Sequence, residues 1–479
     1  MKVNDTKQII RLSLGLILIF LLIINIVFEI HIYDEILEES NYPQTIETNL
    51  KTNSLNQISE ASGSKFSKTF GGDDSDGGIS IQRTSDGGYI IVGWTRSFGV
   101  GGIDEYGNPC SDIWLIKTDN QGNKEWSKTF GGSDMDYGNS VQQTKDGNFV
   151  IVGSTRSYGT GSSDIWLLKT DNHGNLLWDK KFGGTEYEEG KMVQLTTDGG
   201  YIIIGTTESI KPDNLEIWVI KTDMNGNMQW NRTFGGQDSD WGYYIQQTLD
   251  HGYVIIGTTI LEEDLYQDVW LLKIDNSGNE QWNRTFGKKM EPDWGVMVQQ
   301  TLDEGYILIG STSSYGSGNE DVWVIKVNNS GIEQWNKTYG GKVYEKGHSI
   351  QITSDGGYIL IGTTESFGAG EFDIWLIKTD PLGIEQWNKT FGGNKKEHGR
   401  SLLQTQDGGY IIIGYTISFG TGENDVWLIK TDNFGNSNIP NIDDADTDYF
   451  GIYSIIIFIA FVISIVIYII INRRLKFKS

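Results

Sequence analysis

One unit of about 52 residues recurs seven times in this chain of 479 residues. A fixed period of that length constrains the fold more tightly than any total does, because each unit must bury its apolar face against the next. Aligned on a "WSKTFGG"-like segment, the marker falls at Phe66, Trp126, Trp178, Trp230, Trp282, Trp335 and Trp387. A second tryptophan, in "DIWLIK"-like segments, falls at Trp114, Trp166, Trp218, Trp270, Trp323, Trp375 and Trp427. The first interval is longer than the rest because eight residues are inserted around positions 101–110.

Within a unit the pattern predicts four strands, a to d, at 138–144, 149–157, 164–170 and 176–182 in the second unit. Strand b is almost continuously apolar ("NFVIVG", "GYIIIG"), as a strand covered on both faces would be. The "DNxGN" stretch between c and d supplies the Asn and Gly that a short hairpin needs. Sixty-one Gly against six Pro, with many aromatics, fits short strands joined by tight turns. The expected fold is therefore all-β: a seven-bladed β-propeller of four-stranded blades over residues 65–432. The repeat region opens on an isolated d-like strand at 65–70 and ends on an a, b, c set near residue 431. Pairing the N-terminal strand with 425–431 completes the last blade and hides its unpaired edge.

Apolar segments flank the repeats. Lys2, Lys7 and Arg11 precede the run 12–28, which reads as a signal sequence or uncleaved signal anchor behind a cytoplasmic N-terminus at 1–11. Residues 450–471 carry no charge and are long enough for a transmembrane helix. Arg473, Arg474, Lys476 and Lys478 then place a cytoplasmic tail at 472–479 and the propeller outside. Residues 29–64 and the acidic stretch 433–449 read as linkers. A net charge of −25 argues against a nucleic-acid partner and favours cationic ligands or metal ions. The single cysteine, Cys110, excludes an internal disulfide.

The run of "TFGG", "QQT", "DGGYIIxG" and "DIWLIKTDxxGNxxW", at 233–236, 247–248, 198–205 and 164–178, resembles the bacterial and archaeal cell-surface β-propeller repeat family over residues 65–433. The "TDxxGNxxW" part is similar to the tryptophan-docking segment of quinoprotein-type propellers, in which a Trp locks adjacent blades. No cofactor-ligand set accompanies it. The tail is similar to membrane anchors of archaeal surface proteins. The resemblance implies a surface scaffold or binding role and leaves the ligand open.

Several positions are candidate sites. An acidic residue precedes strand a in every unit: Asp76, Asp136, Glu188, Asp240, Asp293, Glu345 and Glu397. Strand a is innermost in a propeller, so these seven are expected near the channel mouth, either as a Ca²⁺-holding ring or as caps of their own turns. Next to them stand the aromatics Tyr137, Trp241 and Trp294, either gripping a sugar or cationic group or packing over the next blade. The b–c connection, "SFGxG" or "SYGxG" in several units, is replaced at 211–216 and 261–267 and lengthened at 103–110. Such variation either builds a recognition surface or is loop drift. Asn231, Asn283, Asn336 and Asn388 each begin an Asn-x-Thr sequon directly after the d-strand Trp, and Asn328 begins a further sequon, so the five are candidate glycosylation positions, repeat inheritance being the alternative for the first four. The histidines His31, His173, His251, His348 and His398 occupy different repeat phases and suggest neither a metal cluster nor a triad.

The expected function is a membrane-anchored, extracytoplasmic binding, adhesion or scaffold module for glycan or protein ligands, with no reaction implied. The alternatives are a propeller enzyme, a glycan hydrolase or lyase using two ring carboxylates, and a structural surface-layer component.

Overall fold

A computed structural model describes residues 64–103, 107–261 and 266–439. The repeat forms seven four-stranded antiparallel sheets, each ordered a-b-c-d from the centre outward. The a strands neighbour one another all the way round, so they form the innermost ring. In the second blade the strands are Asp136–Gln143, Phe149–Thr155, Asp164–Thr170 and Leu176–Phe182. Strand a starts two residues earlier than its apolar pattern suggests, because Asp136 pairs with Thr155 across the hairpin. That same pairing ends strand b at Thr155.

The ring closes as its repeat phase requires. The strand Phe66–Phe70 lies antiparallel to Asp425–Thr431, with Phe66 opposite Lys430 and Phe70 opposite Val426. Blade seven thus takes its outer strand from the start of the domain, and no c strand is left with an open edge.

Seven apolar clusters hold the blades together, and each spans two neighbours. One joins Val150 and Val152 of the second blade to Val193, Tyr201 and Ile203 of the third. All seven residues of strand b in the second blade are buried, as a strand between two sheets must be. The d-strand Trp locks each seam: Trp126 meets Phe149 of the next blade at 6.1 Å between ring centroids, and Trp178 meets Tyr201 at 6.3 Å. Its other side presses on the next blade's c–d hairpin. A Cβ at Gly174, where φ is +77°, would stand 2.6 Å from the Trp126 ring, so that turn needs glycine for conformation and for space. Phe66 fills the same place at the closing seam, against Tyr89 and the hairpin at Gly122.

Every blade also contains an ion pair between the lysine of "DIWLIK" and the aspartate of "DGG". Lys221 with Asp198 at 2.9 Å and Lys273 with Asp250 at 2.8 Å are typical. The lysine is buried, and its remaining N–H groups go to a strand-end carbonyl and a neighbouring side chain, as for Lys221 with Thr222 and Gln229.

Among the described residues no helix is long and apolar enough to cross a membrane. The apolar segments at 12–28 and 450–471, and the flanking stretches 1–11, 29–63 and 440–479, lie outside the described residues.

Candidate functional site: the central channel

Strand a carries a β-bulge in every blade, at the third residue after its acid: in the second blade the register shifts between Gly138 and Ser140, and in the third between Gly190 and Met192. The extra residue leaves the ladder and is re-aimed. The preceding position is glycine in all seven units. A Cβ at Gly138 would come within 2.6 Å of Val92 Cγ2 on the adjacent blade, so the inner strands converge only where that side chain is absent. Bulge and glycine together present one column to the axis: Ile79, Asn139, Lys191, Tyr243, Val296, His348 and Arg400. It lines a central cavity of about 640 Å³ that draws residues from all seven blades.

That lining is cationic in an acidic protein. Lys191, Lys346 and Arg400 face the cavity, with Glu320 as the carboxylate in its wall. Each cation rides on an aromatic ring: Lys191 is 5.9 Å from the Tyr243 centroid, Lys346 is 6.0 Å from Trp294, and Arg400 is 5.3 Å from Tyr415. Lys191 pairs with Glu189 at 2.6 Å, and Lys346 stands 3.7 Å from Glu320. Burial pushes the Glu320 carboxyl up despite Lys346. Burial, and then the Arg400 charge, push the His398 imidazole down to about 4 and hold His348 well below its usual value, so both are neutral near pH 7.

A belt of glutamines stitches the blades. Gln194 Oε1 accepts from Gln247 N at 2.6 Å, Gln246 from Gln300 N at 2.7 Å, and Gln351 from Gln404 N at 2.6 Å. The second Gln of "QQT" reaches the opposite way: Gln247 Oε1 accepts from Thr197 N at 2.9 Å, and Gln300 from Leu249 N. The equivalent of the first Gln is Leu403 in blade seven, where it packs on the apolar core of the closing seam.

The seven acids do not converge on one ion. Each of Asp76, Asp136, Glu188, Asp240, Asp293, Glu345 and Glu397 is 0% exposed and tied into its own blade. Asp76 accepts from Gly72 N at 2.9 Å, Ser97 Oγ at 2.7 Å and Thr95 Oγ1. The shorter Asp76 and Asp136 take the Ser97 and Ser157 hydroxyls, both at 2.7 Å. The longer Glu188, Glu345 and Glu397 reach the backbone N–H of Ser209, Ser366 and Ser418 at 3.1, 3.0 and 3.0 Å.

Each acid also meets a second carboxylate, the one opening strand c of the preceding blade. A Cβ on Gly131 would lie 1.8 Å from Asp112 Oδ1 and 2.9 Å from Asp136 Oδ2, and Gly392 stands likewise between Asp373 and Glu397. The first glycine of "FGG" is the spacer that lets two carboxylates approach. Oδ1 of Asp112, Asp321 and Asp425 is buried without a hydrogen-bond partner. Burial, and then the facing acid, raise the pKa of Asp112, and for the same reasons Asp425 rises to about 6 beside Asp76. Two carboxylates per seam fall short of the six to eight oxygens of a calcium cage. Among the described residues, no group of three or more His, Cys, Asp or Glu is placed to hold a metal ion. Buried between blades, these acids are closed to a glycan substrate.

Of the three aromatics beside the acids, Trp294 enters the central cavity, next to Lys346. Trp241 and Tyr137 are half-buried at the same register of their own blades, opposite Thr258 and Ser154. The "SFGxG" loops serve the scaffold: their Ser caps the buried acid, and their aromatic packs on the c-strand Trp, as Phe98 does on Trp114 at 5.2 Å. Asn231, Asn336 and Asn388 accept from the indole N–H of Trp218, Trp323 and Trp375 at 3.2, 3.3 and 3.1 Å, which explains why the sequon recurs in phase. Asn283 is exposed on the same strand position, and Asn328 opens a turn, its Oδ1 accepting from Ser330 N and Ile332 N at 3.0 Å. His348 and His398, from different repeat phases, both come close to Arg400.

The bulge column escapes a reading built on recurring residues. Its signal was available: it is a non-repeating position directly after an invariant glycine, and it holds Lys, His and Arg in a chain of net charge −25.

No family model matches the chain. A curated relative, the regulatory protein FlaEY of Caulobacter vibrioides, is 26% identical over 117 residues, a stretch covering 21% of this chain and only 12% of that protein. Solved structures align with most of the chain. YCF48 bound to D1 peptide aligns with a TM-score of 0.44 and 11% identity, over 78% of this chain and 98% of that one. The polysaccharide lyase Uly1 aligns with a TM-score of 0.45 and 11% identity, over 76% and 91%.

Proposed function

We propose that the protein is a membrane-tethered, extracytoplasmic binding module that takes its ligand into the central channel. One observation carries the binding role. The scaffold repeats its caps, ion pairs and docking tryptophans in blade after blade, yet the bulge column facing the axis differs in nearly every blade. A column free of the repeat, at the point where all seven blades meet, suits recognition of one asymmetric ligand. The tether rests on the apolar segments 12–28 and 450–471 and the basic tail at 472–479.

Two measurements test the two halves. Protease added outside intact cells should digest the 65–432 region and spare an epitope on the basic tail; a protected propeller sinks the extracytoplasmic placement. Proteoliposomes carrying the full chain should capture envelope glycan or protein fragments, and Val296→Trp, which fills the channel, should abolish capture without lowering the melting temperature. Capture unaffected by the plug would move the binding surface to the loops.

A further inference from the structure

We propose that the ligand of the central channel is an acidic saccharide, whose carboxylate docks on the Arg400 guanidinium and whose hydroxyls meet the neutral polar wall. This rests on the channel reading above and deepens it.

The sign comes first. The charged residues in the cavity wall are three cations and one carboxylate, although the whole chain carries −25. Two of the cations have carboxylates nearby, Glu189 for Lys191 and Glu320 for Lys346. Arg400 has none within ion-pair distance among the described residues. Its Nη2 donates to Tyr415 Oη at 2.9 Å, while its Nε is buried and donates to nothing. A buried guanidinium N–H without an acceptor is costly, and the planar fork matches the paired oxygens of an oxyanion such as a carboxylate. The neutrality of His348 and His398 agrees, since Arg400 adds to burial in depressing both.

The rest of the wall identifies what carries the carboxylate. Asn139, Gln142, Ser140, Ser349 and Ser401 line the same cavity and supply amides and hydroxyls suited to a hydroxyl-rich ligand. Trp294, half-buried there, offers an aromatic surface on which a sugar ring packs. A volume of about 640 Å³ accommodates a short oligosaccharide.

The test uses the full-length protein in detergent micelles, titrated calorimetrically with trimers of galacturonate and of glucuronate, with their methyl esters, and with inorganic phosphate. At least one acid trimer should bind at least about tenfold more tightly than its ester. Arg400→Gln should erase that preference while leaving the melting temperature unchanged. Equal binding of acid and ester, both abolished by Val296→Trp or Ile79→Trp, would overturn the anion assignment and leave the channel reading standing. Binding that phosphate matches in affinity would overturn the saccharide. No binding of any acid trimer, or a preference that survives Arg400→Gln, also overturns the proposal.

Discussion

A single repeated residue does different work according to the atoms it can reach. The acid that opens strand a takes the Ser97 hydroxyl and the Gly72 N–H when it is Asp76, and the Thr207 hydroxyl with the Ser209 and Gly184 N–H groups when it is Glu188. Across the seam the c-strand acids Asp112 and Asp321 accept backbone N–H groups on one oxygen and leave the other buried without a partner, so burial beside a second carboxylate favours the protonated form. This sets a pH dependence whose sign follows from the direction of each shift. Asp425 is raised to about 6, and Asp112, Asp136 and Asp321 are raised from 3.8, so these carboxyls add stability as pH falls from about 6 toward 4, while the depressed His348 and His398 withdraw it over the same range. Asp86, Asp198 and Asp355 run the other way. Burial would raise them, but hydrogen bonds from Thr84, Thr196 and Thr353 and the partner lysines win and hold each at about 2. Their stabilisation is complete above the unfolded value and disappears as pH falls from about 4 to 2. In thermal unfolding at constant ionic strength, Asp425→Asn should therefore raise the melting temperature at pH 7 and lose that gain as pH falls to 4. A difference between Asp425→Asn and the wild type that stays constant from pH 7 to pH 4 would refute the raised Asp425 pKa.

At the scale of the element, the inner strand joins three tasks in eight residues: acid cap, bulge, and glutamine stitch. The stitch is the most exposed to test. Gln194→Leu would leave the Gln247 N–H without its acceptor inside the ring, a loss of about 1–2 kcal/mol. Chemical denaturation should show a lower midpoint with an unchanged slope. The chain itself places Leu403 at this position in blade seven, where the closing seam offers apolar contacts in place of a stitch, so Leu403→Gln should also destabilise. A gain in stability from Leu403→Gln would mean that the belt, not the seam, decides that position. Element boundaries were legible from local pattern except at strand a, whose first residue is polar and whose place in the sheet depends on Thr155 across the hairpin, and at the end of strand b, which stops at that Thr155 and not at residue 157. The docking role of the d-strand Trp was also legible, because a large aromatic at fixed phase on an outer strand has only the next blade to bury it.

For the whole molecule, closure is the cooperative event. Removing residues 64–71 should expose the 425–431 edge and lower the melting temperature sharply, with aggregation. A circular permutant that joins 65–70 after residue 433 should recover the wild-type value, since it restores the same pairing in one contiguous blade. Failure of the permutant would show that the seam needs the original chain order as well as the strand.

The amino-acid sequence by itself determined the number of blades, their strands, the closing strand and the tryptophan locks. Each follows from short-range sterics and a repeated period, and every unit states it again. Tertiary structure alone decided what faces the axis and which carboxylates share a seam. Lys191, Lys346 and Arg400 stand one or more blades apart and meet only because the inner strands, Lys191 and Arg400 through their bulges, converge on a closed ring. Asp425 and Asp76, at opposite ends of the domain, become neighbours only when that ring closes. An acidic chain can thus enclose a basic channel, because net charge sums over the surface while a site is made by the few side chains that geometry brings together.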